Sequence, residues 1–291
     1  MPFETILYDK KDRIATITLN RPEKLNTIRP PMPEELEKAV AEANADPEVR
    51  VIILKGVGRA FCAGFDFSEF GRPSAEPWDP GMDMIMTTSP FTASVPKFMS
   101  IWYSHKPVIG QVHGWCVGGG TDMVLCADII IATEDARFGV PYARAWGCSL
   151  SGMWIYRLGL TWAKRLMLTG DPIDGKTAER IGLINQAVPA DKLEDEVQYV
   201  ARRLAQIPVT QLAAMKLIVN QAYENMGLHS TQLLGPILDG YMRNTPEGLA
   251  FVRTAYERGV AAAVAERDGP FGDYSQAPPS EKPAGSPEHK P

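Results

Sequence analysis

Two glycine-containing stretches, each placed directly after an apolar strand-like run, hold the residues best suited to chemistry. The first is Ala60-Phe61-Cys62-Ala63-Gly64-Phe65-Asp66, following Val51–Leu54. The second is His113-Gly114-Trp115-Cys116-Val117-Gly118-Gly119-Gly120-Thr121-Asp122, following Val108–Val112. In the second, three consecutive glycines open an apolar helical run, Met123–Ala127. Main-chain N–H groups there are unscreened by side chains and lie at a helix N-terminus, where the peptide dipoles favour negative charge. Such groups can stabilise an oxyanion; the triplet also suits a plain tight turn that needs positive φ. Neither stretch fits GxGxxG or GxxxxGK[ST], so dinucleotide and Walker-type phosphate binding find no support.

Other reactive side chains group less informatively. The four cysteines, Cys62, Cys116, Cys126 and Cys148, are far apart and form no CxxC pair, so they read as reduced structural residues. The four histidines show no HExxH or ligand-like clustering, and no metal is expected. His113 reads as a packed core residue and Arg144 as the partner of a surface acid. The segment Gly147-Cys148-Ser149-Leu150-Ser151-Gly152 is not a GxSxG elbow; it reads as a helix N-cap with small packing residues.

The elements that must position these residues alternate in the N-terminal half. Ile6–Tyr8 and Ile14–Leu19 read as a hairpin across the polar Asp9–Arg13, and Pro33–Asn44 as a helix with Leu36, Val40 and Ala43 on one face. Val51–Leu54, Val108–Val112 and Ile129–Ala132 read as buried strands. From about Lys164 helices take over: Ala163–Leu168, Thr177–Ile181, Asp191–Ala205, Thr210–Asn225 and Pro246–Glu266. Phe67–Tyr103, rich in Pro, Met and aromatics, reads as a binding loop or lid. Its Trp78, Met82, Met84, Met86, Phe91 and Trp102 suit an adaptable apolar pocket wall for an acyl chain, or equally an oligomer contact. Gly269–Pro291 holds six prolines among 23 residues and too few large apolar groups to offset its chain entropy, so it is expected to be loose.

Taken in order, the landmarks resemble the crotonase (enoyl-CoA hydratase/isomerase) family. Arg21-Pro22-Glu23-Lys24-Leu25-Asn26 is similar to its RPxxxNA segment, and Phe61–Asp66 to F-x-A-G-x-D. Lys106–Ile109 with His113-Gly114 and Gly118–Gly120 is similar to KPVIAAxxGxxxGGG; Cys126–Ile129, Phe138–Pro141 and Leu168–Val188 continue the likeness. The resemblance implies an α/β fold: a ββα spiral core over 1–200, a C-terminal helical trimerisation region over 201–268, and the loose tail over 269–291. It implies a homotrimer or hexamer that acts on an acyl-CoA substrate, with coenzyme A the carrier part of the substrate and no separate cofactor. The amides of Ala63 and Gly119 would form an oxyanion hole for the thioester. Ala63, Gly64, Phe65, Asp66 and Gly119 would line the thioester and pantetheine, with Lys24 and Leu25 near the adenosine end. At the family's two catalytic glutamate positions stand Asp122 and Tyr142, expected to move and orient protons at the α or γ carbon. A noncatalytic acyl-CoA-binding homologue, or a crotonase-type isomerase, decarboxylase or hydrolase, is the alternative.

Composition bounds the partners. With 30 basic and 35 acidic residues the net charge is −5, and 45% of the 291 residues are apolar. That balance argues against nonspecific nucleic-acid binding, which needs excess cation. No apolar run approaches the roughly 20 residues of a membrane span, and the N-terminus lacks a signal-peptide layout. A cytoplasmic location is expected.

Overall fold

The computed structural model describes residues 3–67, 80–89, 93–145 and 147–274, those at 80 and 82–84 by backbone only. Its frame is a six-stranded sheet in the order β1-β2-β3-β5-β7-β10: Ile6–Lys11, Ile14–Leu19, Val51–Gly56, Val108–Val112, Ile129–Thr133 and Gln186–Val188. The hairpin β1–β2 is antiparallel, with Ile6 opposite Leu19, and every later pairing is parallel. A second sheet, β4-β6-β8-β9, is built from Ala60–Cys62, Trp115–Val117, Arg137–Gly139 and Ile173–Asp174. Each of β3, β5 and β7 thus hands the chain to a short strand of the second sheet before a helical segment follows. That repeated step is the ββα spiral.

Period-two alternation explains how one strand serves two cores. Ile52 and Leu54 of β3 join the large core that holds Ile17, Leu19, Phe61, Phe98, Phe138 and Trp154. Val51 and Ile53 face the other way, with Ile109 and Ile131, onto Leu193, Val197 and Ala201 of a helix spanning Leu193–Leu204. Strands covered on both faces read as unbroken apolar runs, which is why β3, β5 and β7 are legible without context. Helix α1, Met32–Ala45, buries Leu36, Ala39, Val40 and Ala43, one stripe at helical spacing.

Several expectations need correction. Where Phe67–Tyr103 is described, it carries α2 (Pro80–Thr88) and α3 (Ser94–Tyr103). Helix α3 is a core element: Val95, Phe98, Met99 and Trp102 are buried, and the buried Lys97 ammonium pairs with Glu34. Trp102 packs edge-on against Tyr223, 6.0 Å between ring centroids, and lines no ligand wall. Trp78, Phe91 and the side chains of Met82 and Met84 lie outside the described residues.

Further along, α4 (Gly119–Val124) precedes α5 (Met153–Thr169), which is interrupted at Gly159. Then come α6 (Gly175–Arg180), α7 (Leu193–Leu204) and α8 (Val209–Asn225). Helix α9, Leu228–Arg243, was not expected: Gly235, Pro236 and Gly240 break up its sequence signal. The expected Pro246–Glu266 helix is two, α10 (Pro246–Arg258) and α11 (Val260–Asp268), parted at Gly259 with φ 89°. The tail expected to be loose from Gly269 is docked as far as Tyr274. There Asp273 grips the Arg144 guanidinium at 2.7 and 2.8 Å, and the Tyr274 hydroxyl donates to the Gly170 carbonyl at 2.9 Å. Arg144, whose side chain is only 2% exposed, also pairs with Asp171 and with the fully buried Asp268. Residues 275–291 lie outside the described residues. No helix among the described residues is long and apolar enough to cross a membrane.

Candidate active site

The two glycine stretches meet at the C-terminal ends of β4 and β6. They border a cavity of about 550 Å³, within the usual size for a small-molecule site. Its wall includes Lys24, Leu25, Ala63, Gly64, Phe65, Asp66, Val117, Gly118, Gly119, Tyr142, Gly147 and Asp239. Of the residues expected at the thioester, the carrier and the proton transfer, all but Asp122 converge on one cavity.

The segment around Leu25–Ile28 zips along Ala63–Asp66 and decides which amides stay available. Asn26 pins the first strip, its side-chain N–H groups donating to the carbonyls of Val57 and Ala60 at 2.8 Å each. Ala63 N–H donates to Leu25 O at 3.0 Å, Ile28 N–H to Gly64 O at 2.8 Å, and Asp66 N–H to Ile28 O at 2.9 Å. The Ala63 amide is therefore spent inside the fold, which corrects its expected role as an oxyanion donor. In such a parallel bridge, between Ile28 and Phe65, successive amides alternate sides. Phe65 N–H thus faces away from Ile28, and no hydrogen-bond partner for it is found among the described residues. Asp66 is held as well: its carboxylate pairs with Arg21 at 2.9 Å, with both side chains largely buried.

On the opposite lip, Gly118 turns the chain with φ 54° and ψ −122°, a conformation that favours glycine. Its carbonyl accepts from Thr121 Oγ1 at 2.7 Å, and Trp154 Nε1 donates to that same hydroxyl at 2.9 Å. Gly119 follows as the first residue of α4, so its N–H has no intrahelical acceptor. A Cβ at Gly119 would lie 2.6 Å from the Phe65 ring and 2.9 Å from Ile28 Cδ1. The two lips are that close because residue 119 has no side chain. Two amides, those of Phe65 beyond β4 and of Gly119 at the start of α4, border one cavity from opposite lips, an arrangement that can hold a developing oxyanion.

Asp122 and Tyr142 do meet, though not as expected. The Tyr142 hydroxyl donates to Asp122 Oδ2 at 2.9 Å. Asp122 Oδ1 accepts from Ser151 N–H at 2.8 Å and Ser151 Oγ at 2.7 Å, with Ser149 Oγ at 3.4 Å. Asp122 is 0% exposed and sits behind Tyr142, off the cavity wall. Burial raises its pKa above the ordinary carboxylate value, only partly countered by the bonds from Ser151 and Tyr142. One methylene shorter than glutamate, it stops short of the cavity. The expectation that Asp122 moves a substrate proton is corrected: it anchors Tyr142 and the Ser149–Ser151 loop. Burial and then the Asp122 charge push the Tyr142 phenol well above its usual value, so it stays neutral.

Ser151, read from sequence as a cap, is thus the main partner of Asp122; no local pattern signals that. Cys148 is half-buried, and burial lifts its thiol to about 11, which keeps it protonated. All four cysteines are free thiols. His113 is a framework residue, its Nε2 bonded to the Gly58 carbonyl at 2.8 Å. Missed altogether were Asp239 and Arg243 of α9. Their i, i+4 acid–base spacing was the available signal, hidden because the helix itself went unread.

Comparison with known proteins identifies the family and the fold. Residues 9–234 match the family model described as enoyl-CoA hydratase/isomerase. A crotonyl-CoA hydratase of Syntrophomonas wolfei is 31% identical over 93% of this chain and 99% of its own length. The 1,2-epoxyphenylacetyl-CoA isomerase of Escherichia coli is 31% identical over 92% and 98%. The crystal structure of an enoyl-CoA hydratase from Mycobacterium smegmatis superposes with a TM-score of 0.87 at 42% identity, covering 93% of this chain and 95% of that one. Fold, cavity and comparisons lead to one assignment: this chain belongs to the enoyl-CoA hydratase/isomerase family of acyl-CoA enzymes.

Proposed function

We propose that the protein converts an acyl-CoA thioester through an enolate held by the N–H groups of Phe65 and Gly119. The observation that carries this reading is the pair of unspent amides facing one cavity across lips in van der Waals contact. When a proton leaves the α or γ carbon, or a nucleophile adds at the β carbon, negative charge collects on the thioester oxygen. Fixed donors aimed at that oxygen lower the barrier because they need no reorganisation when the charge forms. Exposed Lys24 at the cavity rim offers a cation to the CoA phosphates, and Leu25 and Gly64–Asp66 line the path of the pantetheine. Asp66, locked to Arg21, shapes that wall and leaves proton transfer to other groups.

Reaction class is the finer step. Hydration by a pair of wall carboxylates has no support at the expected positions, because Tyr142 replaces one and Asp122 is withdrawn behind it. Chemistry needing a single wall acid, such as double-bond migration, fits better. A noncatalytic acyl-CoA binder is the second reading, favoured by that same withdrawal of Asp122. Incubation with crotonyl-CoA and with longer 2-enoyl- and 3-enoyl-CoAs, followed by enoyl absorbance, separates the two. Turnover of a 3-enoyl ester exceeding that of crotonyl-CoA is the expected result; tight binding without turnover of any ester supports the binder. Self-association as a trimer or hexamer accords with the exposed apolar side chains Leu217, Ile218 and Leu234 on α8 and α9.

A further inference from the structure

We propose that Asp239, supplied by α9, is the carboxylate that moves the substrate proton; this rests on the enolate reading above. Among the described residues only two acids lie on the cavity wall, Asp66 and Asp239. Both are paired with an arginine, Asp66 with Arg21 and Asp239 with Arg243, and place separates them: Asp66 belongs to the strip zipped to Leu25–Ile28, the side assigned above to the carrier. Asp239 is 8% exposed and stands beside Tyr142, Gly147 and Leu150, at the acyl side of the cavity.

Its placement is held from two directions. Oδ1 accepts the Cys148 N–H at 2.8 Å, and Oδ2 faces Arg243 Nε, one helical turn on, at 3.0 Å. Arg243 fixes the orientation of the carboxylate from the helix side. Gly147, with φ 93°, opens the space in front of it. A side chain there would meet Asp239 Oδ1 at 3.1 Å and Tyr142 Cδ1 at 3.2 Å. The far end of the same ring, the Tyr142 hydroxyl, is 3.3 Å from the Cβ position of Gly118, the residue before the Gly119 donor. One phenol ring therefore spans the distance from the oxyanion amides to Asp239. The α carbon of a thioester held by those amides lies about 2.4 Å beyond its oxygen, by ordinary bond lengths. That puts the α and γ carbons over the Tyr142 face, toward Asp239.

The step balances without a co-reactant. Asp239 takes a proton from the carbon between the thioester and a 3,4 double bond. The C–H electron pair flows to the thioester oxygen, and the dienolate rests on the Phe65 and Gly119 N–H groups. The same carboxylic acid then returns the proton at the γ carbon, leaving the 2,3 double bond. The substrate class is a 3-enoyl-CoA with a migratable double bond.

The test follows two signals, deuterium uptake at the α carbon of butanoyl-CoA in heavy water and conversion of 3-hexenoyl-CoA to its 2-enoyl isomer. Asp239→Asn is expected to lower both at least about 100-fold, the usual size of a general-base effect. Its butanoyl-CoA affinity should remain near wild type, while its melting temperature falls, because the buried Arg243 guanidinium loses its anionic partner. Exchange and isomerisation surviving in a folded Asp239→Asn variant overturn the role of Asp239 and leave the enolate reading standing. Absence of both signals in wild type overturns the enolate reading and this role with it. Should Asp239→Asn not fold, wild-type protein treated with bromoacetyl-CoA decides. The Asp239 carboxylate displaces bromide to form an ester that peptide mass mapping locates there; labelling elsewhere with none on Asp239 contradicts the proposal.

Discussion

Replacing Gly119 with alanine is expected to lower kcat by about 100- to 1000-fold, the cost of losing one oxyanion donor. The reason is geometric. An added methyl meets the Phe65 ring at 2.6 Å and Ile28 at 2.9 Å, so the two lips must part. Phe65 carries one donor amide and Gly119 the other, so parting them misaligns both at once. Ground-state binding draws on the rest of the cavity, and KM for a CoA ester should move only a few-fold. An effect confined to KM would show that the amides bind substrate and transition state equally, which adds nothing to kcat. The measurement is steady-state kinetics on the best enoyl-CoA, with Gly119→Ala shown to melt like wild type or nearly so.

The second large effect is on stability. Asp122→Ala strips acceptors from the Tyr142 hydroxyl, the Ser151 hydroxyl and the Ser151 amide, all deep in the protein. A buried donor left without an acceptor costs about 1–3 kcal/mol. With partial relaxation of the Ser149–Ser151 loop, the variant is expected to lose about 3 kcal/mol in urea unfolding. Asp122→Asn keeps the side-chain carbonyl for Ser151, and the Tyr142 hydroxyl can rotate to accept from the new amide, so its loss is expected to be about 1 kcal/mol. Activity should follow packing: Asp122→Asn retains most of kcat. If kcat collapses in Asp122→Asn while its unfolding curve is unchanged, Asp122 does act on substrate, and its placement behind Tyr142 misleads.

Much of this was legible in the amino-acid sequence where local physics suffices. The strands β3, β5 and β7 are apolar runs, β3 ending at Gly56 and β5 entered through Pro107, and α1 shows its buried stripe directly. Both glycine stretches could be read from residue type and spacing, and the family resemblance singled out Asp122 and Tyr142, whose hydrogen bond only the structure shows. What failed depended on tertiary detail. Which of the Ala63–Asp66 amides is unspent is set by pairing with Leu25–Ile28, a contact across more than 30 residues, and that pairing occupies the Ala63 amide. Whether a carboxylate reaches the cavity turns on one methylene and a covering phenol ring. Helix α9 was missed because Gly235, Pro236 and Gly240 weaken its local signal, whereas its stability comes from packing. For example, a side chain at Gly235 would press on the Ser149 carbonyl at 2.4 Å. With α9 went Asp239, one of the two acids that line the cavity among the described residues. Helix α3 was read as lid because Pro96 and Lys97 interrupt its apolar face, yet Lys97 is buried against Glu34 and the face packs.

The central claim, that the Phe65 and Gly119 amides polarise a thioester oxygen, has a direct spectroscopic test. Infrared difference spectra of protein-bound butanoyl-CoA, with and without carbon-13 at the carbonyl, isolate the stretch of that one bond. Two hydrogen bonds to the oxygen should move it to lower frequency than in water, and Gly119→Ala should return it most of the way. A bound carbonyl that absorbs where the free ester does, in wild type, would contradict the account.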